Sequence, residues 1–154
     1  MIVKVSDSNI KDAANVYMLS WKESHKEICS AEFIKKHDIE YMTELIKNKI
    51  RNNNDIFIDY DNTKPVGIIG INLLDEEICL LYVHPKEQGK GFGSELLEFA
   101  LSRCKDPYIT VLDTNTKAID FYKKRGFVPA EKQPEKAEDK QIFERKYVYR
   151  SENM

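Results

Sequence analysis

The sequence predicts a mixed α/β fold: one central sheet of about seven strands, antiparallel first and then parallel, flanked by about four helices. Two observations predict it. Three strand-like runs between residues 55 and 83 are joined by connections that permit only hairpins, which makes an antiparallel meander. The run ending at Val83 is then followed by a helical stretch and a buried-type strand beginning at Tyr108, and that crossover requires a parallel pair. The 154 residues form a single domain, 1–154, with no internal repeat and no interdomain linker. A chain of this length buries roughly 68–70% of its unfolded surface and holds a core without staples.

Each element has its own signal. Residues 2–5 alternate apolar and polar, a short first strand. Residues 9–21 carry Ile10, Ala13, Ala14, Tyr17, Met18 and Trp21 at the i, i+3, i+4 spacing of an amphipathic helix, with Ser6, Asp7 and Ser8 ahead of it as capping residues. A second helix is predicted over 31–50, with Phe33, Ile34, Ile39, Met42, Leu45, Ile46 and Ile50 on its inner stripe, ended by Asn52, Asn53 and Asn54. Strands follow over 55–60, 65–74 and 77–83, separated by turn signals at 61–63 and at Asp75-Glu76. Residues 84–93 form a loop with Pro and Gly, and 94–104 a helix through Leu96, Leu97, Ala100, Leu101 and Cys104. Then come a strand over 108–112, a helix over 114–124 stopped by Gly126, a strand from Phe127, a charged loop over 131–141 and a final strand over 142–149.

Composition narrows the function classes. Charged residues are 32% and hydrophobic ones 42%, and Lys plus Arg total 24 against 26 Asp plus Glu, a net charge of −2. That balance removes the electrostatic warrant for nucleic acid as a partner. No apolar run reaches the ~18 residues of a spanning helix, so no membrane partner is expected, and Met1-Ile2-Val3-Lys4 opens no signal peptide. Cys29, Cys79 and Cys104 are odd in number and far apart, which fits a reducing cytoplasm better than a disulfide framework or a zinc site. His25, His37 and His84 show no metal-ligand spacing, and no metal site is expected.

The informative stretch is the loop Gln88-Gly89-Lys90-Gly91-Phe92-Gly93-Ser94 between a strand and a helix. Three alternate glycines let backbone N–H groups converge without Cβ obstruction, at a helix N-terminus that favours anions. The chemistry suggested is a main-chain grip on a pyrophosphate, with Lys90 adding a cation. The bland alternative is a connecting turn. Walker A does not fit. A dinucleotide fingerprint (Gly89-x-Gly91-x-x-Ser94, with Asp113 further on) is weakened by residues 84–88, which separate its first glycine from the strand.

The same loop resembles the Gln/Arg-x-x-Gly-x-Gly/Ala signature of the GNAT superfamily of N-acetyltransferases at Gln88, Gly91 and Gly93. The preceding Leu81-Tyr82-Val83-His84-Pro85 is similar too, as are Asp113-Thr114-Asn115, Ala118, Phe121-Tyr122 and Arg125-Gly126-Phe127 downstream. The resemblance covers essentially the whole chain. It implies that acetyl-CoA is the co-substrate, with backbone amides from Gln88 to Ser94 (Gly89, Lys90, Gly91, Phe92 and Gly93 between them) holding its pyrophosphate. Main chain of Leu81 and Val83, with Tyr82 between, would pair with the pantetheine arm as an added strand. An N–H near Leu81 would polarise the thioester carbonyl. Asn115 and Ala118 would border the cofactor arm, with Asn115 also capping its helix, and Tyr122 would sit by the thioester sulfur.

The implied reaction sets two proton problems. An amine of pKa about 10.4 must lose a proton before it attacks, at a cost of about 4.6 kcal/mol at pH 7. Glu77 occupies the position where some family members carry a general base, yet four strand residues, roughly 13 Å, separate it from Leu81, so a water relay is needed. Its bland reading is an exposed carboxylate beside a turn. Tyr122 (pKa about 10) is the donor to a departing thiolate of pKa about 8.5, by a hydrogen bond rather than obligatory transfer. Tyr17, Trp21, His25 and Phe33 read first as helix packing, although the resemblance puts the acceptor pocket between the first two helices, and the 131–141 loop often borders it. Cys79 reads as a small core residue, and no Gly-x-Ser-x-Gly elbow exists. The reading is therefore direct acetyl transfer to a primary amine, a small molecule ahead of a protein or peptide amine. A non-catalytic CoA-binding module and a nucleotide-binding oxidoreductase are the readings of another class. Members of the family often pair as homodimers, a state that no feature of this sequence establishes.

Overall fold

The computed structural model describes residues 1–130, 135–136 and 143–150. Its elements in chain order are β1 (Ile2–Lys4), α1 (Ile10–His25), α2 (Ala31–Lys35), α3 (Ile39–Arg51), β2 (Asp55–Asp61), β3 (Lys64–Asn72), β4 (Glu77–Val83), a 3-10 turn (Pro85–Glu87), α4 (Phe92–Leu101), β5 (Tyr108–Leu112), α5 (Thr116–Lys123), β6 (Phe127–Pro129), β7 (Glu135–Lys136) and β8 (Phe143–Tyr149). One sheet runs in the order β1-β2-β3-β4-β5-β8-β6, with β7 paired to β8. The β2-β3-β4 meander is antiparallel, and β4 and β5 are the parallel pair that the crossover demands.

The sheet separates two cores. Alternate residues of β2 and β3 go to opposite faces, as strand geometry dictates. Ile56, Ile58 and Ile68 pack under α1 and α3 with Ala13, Val16, Met42 and Ile46. Ile69 and Ile71 pack on the other face with Leu96, Leu97, Ala100, Tyr122 and Phe127.

Several boundaries differ from expectation, each for a local reason. The helix expected over 31–50 is broken. Asp38 (ψ −178°) leaves helical geometry and its carboxylate accepts from Tyr41 N–H at 2.8 Å, a stronger start signal than the apolar periodicity across it. Helix α1 continues past Trp21 to His25. Ser6, Asp7 and Ser8 supply no side-chain cap; Asn9 occupies the N-cap position and its Oδ1 accepts from Ser6 N–H at 2.8 Å. Helix α4 begins at Phe92, not Ser94, because Gly91 (φ 94°) takes the left-handed N-cap conformation. Helix α5 begins at Thr116, capped by Asn115, whose Oδ1 accepts from Ala118 N–H at 3.2 Å. Of the expected 131–141 loop, Glu135 and Lys136 pair with β8 as β7, and the rest lies outside the described residues.

Candidate active site

Strands β4 and β5 form a fork. Their only Cα pairing is Glu77 with Tyr108, so beyond the closed end at Glu77 the two strands part. The direction of β4's main chain in that gap follows from its other ladder. His84 N–H donates to Val66 C=O at 2.8 Å, and the β3–β4 register pairs Ile68 with Tyr82 and Gly70 with Leu80. Antiparallel pairing alternates, so Leu80, Tyr82 and His84 are turned toward β3, while the N–H and C=O of Leu81 and Val83 face the fork. Val83 C=O already accepts from Ser20 Oγ at 3.0 Å and from Gln88 Nε2 at 3.3 Å.

The open end of the fork meets the glycine loop. Gly89 (φ 78°) and Gly91 (φ 94°) both need the left-handed region, and a Cβ on either would meet nothing within 4 Å. The first bond of the α4 ladder runs from Glu95 N–H to Gly91 C=O (3.0 Å), so the N–H groups of Phe92, Gly93 and Ser94 precede it. Gly93 is needed for another reason: a Cβ there would press on the Phe121 ring at 3.3 Å. The Lys90 ammonium is held 2.8 Å from the buried carboxylate of Glu87, which also binds Lys64 at 2.5 Å. The two lysines hold the Glu87 carboxyl down, at a pKa of about 2.

Two cavities flank the fork. The first, about 620 Å³, runs past Val83, Gln88, Gly91, Gly93, Ser94 and Arg125. The second, about 500 Å³, lies under α1, α2 and α3 against Trp21, His25, Phe33, His37, Lys49 and Glu77. They share a wall made of Leu81, Tyr82, Asn115, Ala118 and Tyr122. Tyr122 is held edge-on to Phe121 (5.2 Å, 83°) and Phe127 (5.5 Å, 64°), and burial, with Tyr82 nearby, pushes its hydroxyl above the ordinary tyrosine pKa, so it stays a proton donor. Tyr82 is also pushed up, to about 12, by burial, and its ring leans on Tyr17 at 5.2 Å. Burial likewise pushes the Cys79 thiol up to about 11, which makes it an inert neighbour. Glu77 lines the second cavity at the closed end of the fork.

The fold thus brings the expected loop, strand and α5 residues to one place and leaves Glu77 at the far end of it. Sequence reasoning assigned nothing to Arg125, which donates to Ser94 Oγ through Nε (3.1 Å) and a terminal nitrogen (2.6 Å) and lies over the Phe121 ring at 3.8 Å. It also missed Lys117, whose ammonium is 2.8 Å from Gln88 Oε1, and Ser20, a lone polar residue on the buried stripe of α1. Among the described residues, no group of three His, Cys, Asp or Glu side chains could hold a metal ion, and no helix is long and apolar enough to cross a membrane.

Comparison with known proteins agrees with this arrangement. The family model described as Acetyltransferase (GNAT) family matches residues 19–127. The peptidyl-lysine N-acetyltransferase YjaB of Salmonella typhimurium is 37% identical over 67 residues, which is 44% of this chain and 45% of that protein. The match therefore spans less than half the length of that curated relative. Among solved structures, the PaiA N-acetyltransferase of Thermoplasma acidophilum in complex with coenzyme A superposes with a TM-score of 0.71 at 23% identity, covering 95% of this chain and 96% of that one. The apo-form YjaB of Escherichia coli gives 0.70 at 23%, covering 97% and 96%, and both likenesses are of fold. With the glycine loop and the whole α5 motif inside the matched stretch, this chain belongs to the acetyltransferase (GNAT) family.

Proposed function

We propose that this chain moves the acetyl group of acetyl-CoA directly onto a primary amine. The observation that carries the reading is the wall of Leu81, Tyr82, Asn115, Ala118 and Tyr122 common to the two cavities, because two ligands that must react need one point of contact. The cofactor fits the first cavity: main chain of Leu81 and Val83 faces an open fork, and the glycine loop offers main-chain donors at a helix N-terminus. We assign Gln88, Gly89, Lys90, Gly91, Phe92, Gly93 and Ser94 to the pyrophosphate, through backbone amides, with the Lys90 side chain drawn off by Glu87. Leu81 N–H polarises the thioester carbonyl, Asn115 and Ala118 border the cofactor arm, and Tyr122 donates to the sulfur as it departs. Glu77, roughly 13 Å along β4 from Leu81, takes part only through water.

The acceptor we propose is a small amine in the second cavity, whose volume of about 500 Å³ suits a small ligand. The peptidyl-lysine name of the Salmonella relative supports a second reading, in which a lysine side chain enters the same cavity. The reaction belongs in a reducing cytoplasm, consistent with three free cysteines. Thermal unfolding with acetyl-CoA against NAD tests the co-substrate: a ligand at 100 times its Kd stabilises by about 2.7 kcal/mol. Stabilisation by NAD and none by acetyl-CoA would sink the reading. Thiol release across a panel of small amines and lysine peptides then separates the two acceptor classes, and binding without release identifies a CoA-binding module.

A further inference from the structure

Three flat rings are stacked in the second cavity. The Trp21 indole is covered on one face by His25 (ring centres 4.1 Å apart, planes 12° apart) and on the other by His37 (3.7 Å, 10°). Both imidazoles are anchored alike, with His25 Nδ1 2.8 Å from Trp21 C=O and His37 Nδ1 2.8 Å from Phe33 C=O. A carbonyl only accepts, so each Nδ1 carries the hydrogen, and a neutral ring keeps its lone pair on Nε2. His25 stands where the cavities meet on the helical side. Ser24, whose Oγ lies 2.8 Å from His25 Nδ1, lines the cofactor cavity, while His25 lines the other. Leu81 and Tyr122 line both cavities.

We propose that His25 Nε2 is the base that takes the acceptor amine's proton, an inference that rests on the acetyltransferase reading above. The ammonium gives one proton to Nε2. The neutral nitrogen forms a bond to the thioester carbonyl carbon as the C–S bond breaks, its second proton passes to sulfur by way of the Tyr122 hydroxyl, and His25 returns its proton to water. Burial and the neighbouring His37 hold His25 below its ordinary pKa of 6.5, so the resting ring is a free base. The charged form keeps three supports: Nδ1–H on the Trp21 carbonyl, the indole face, and the C-terminal end of α1, whose last residue is His25. Besides His37, the ionisable groups on the cavity wall are Tyr17, Cys29, Tyr41, Lys49, Glu77, Cys79, Tyr82, Tyr122 and Glu144, and none is among the causes of the His25 shift. Two imidazolium rings on opposite faces of one indole repel, so a charge on His37 works against a charge on His25.

The test is an NMR titration of the His25 ring in the full chain, beside the pH profile of kcat/KM for whichever of benzylamine, spermidine and a lysine peptide is acetylated fastest. The titration midpoint is expected below 6.5, to match the acid limb of the profile, and to rise in His37→Gln by several tenths of a unit in both measurements. His25→Gln is expected to lose about 100-fold in kcat and the acid limb with it, while the KM for acetyl-CoA holds. An acid limb that survives in His25→Gln, or a midpoint indifferent to His37→Gln, overturns the proposal alone. Acetyl-CoA that fails to raise the thermal midpoint overturns the acetyltransferase reading and the proposal together. Binding without acetylation of any of the three amines overturns the proposal and leaves a CoA-binding module. His37→Gln keeps both arms measurable should His25→Gln not fold.

Discussion

Replacing Tyr122 with phenylalanine separates chemistry from packing more cleanly than any other change in the site. The ring is clamped between Phe121 and Phe127 in edge-on contacts that phenylalanine reproduces. Tyr122 is part of the wall common to both cavities, and no hydrogen bond ties its hydroxyl to the described residues. Folding stability is therefore expected to change by no more than about 0.5 kcal/mol. The catalytic loss is larger, because a buried donor aimed at developing negative charge is worth about 2.7–4 kcal/mol, or 10²–10³ in kcat. Burial raises the hydroxyl's pKa, so it remains protonated throughout the working range and its removal acts at every pH from 6 to 9 by a similar factor. Steady-state thiol release with acetyl-CoA and a saturating amine gives kcat, and calorimetry gives acetyl-CoA affinity, expected within about twofold of wild type. A kcat within threefold of wild type would remove Tyr122 from the mechanism and leave Leu81 N–H to carry the stabilisation.

Other perturbations follow from particular contacts. Gly91→Ala forces a Cβ onto φ 94° with no steric contact, so its cost is the backbone strain of roughly 1–2 kcal/mol, read as a fall of roughly 2–8 °C in Tm together with weaker acetyl-CoA binding. Arg125→Gln removes both bonds to Ser94 and the cover over Phe121, and Arg125→Lys, which lacks the planar fork, is expected not to restore acetyl-CoA affinity measured by calorimetry. Glu87→Gln frees Lys90 and removes a negative charge from the first cavity, so acetyl-CoA is expected to bind more tightly to this variant. Because the folded pKa of Glu87 is depressed to about 2, its stabilisation is complete above the ordinary 4.5 and disappears as pH falls through the folded value. The Tm difference between wild type and Glu87→Gln should therefore be largest at pH 6 and close on approach to pH 2.

The architecture was readable because it depends on connection lengths and periodicity. Short links at 61–63 and Asp75-Glu76 dictated the meander, and the long crossover from Val83 to Tyr108 dictated the parallel pair. The break at Asp38 was not, since apolar residues on both sides keep helical spacing while one carboxylate decides the boundary. At the loop, Gly91 and Gly93 carry a legible backbone signal, because a left-handed φ at one and the close Phe121 ring at the other restrict those positions to few residue types. The ion pair of Lys90 was not legible, because its partner Glu87, three residues back, looks like one more solvated charge until the 3-10 turn folds it inward against Lys64. His37 could not be read as a wall of the second cavity, because it reaches Trp21 only after the helix breaks at Asp38.

One irregular residue settles which main-chain groups serve the fork. Ile78 packs with the α4–α5 core, and Leu80, two residues on, packs with the α1–α3 core, although regular strand geometry puts i and i+2 on the same face. The β3–β4 register explains it: Ile71 pairs with Ile78 and Gly70 with Leu80, so Cys79 is the extra residue of a bulge. Before the bulge, Tyr108 N–H donates to Glu76 C=O at 3.0 Å, so even-numbered positions of β4 are turned toward β5. After it the parity reverses, and the odd-numbered Leu81 and Val83 present their main chain to the fork while Tyr82 goes back to β3. Without the bulge, the open edge would display Leu80 and Tyr82 main chain instead. The bulky ring of Tyr82 would then leave Tyr17 and the wall of the second cavity for the opposite core. A single inserted residue therefore fixes both halves of the site together, the strand edge that faces the fork and the aromatic wall of the second cavity.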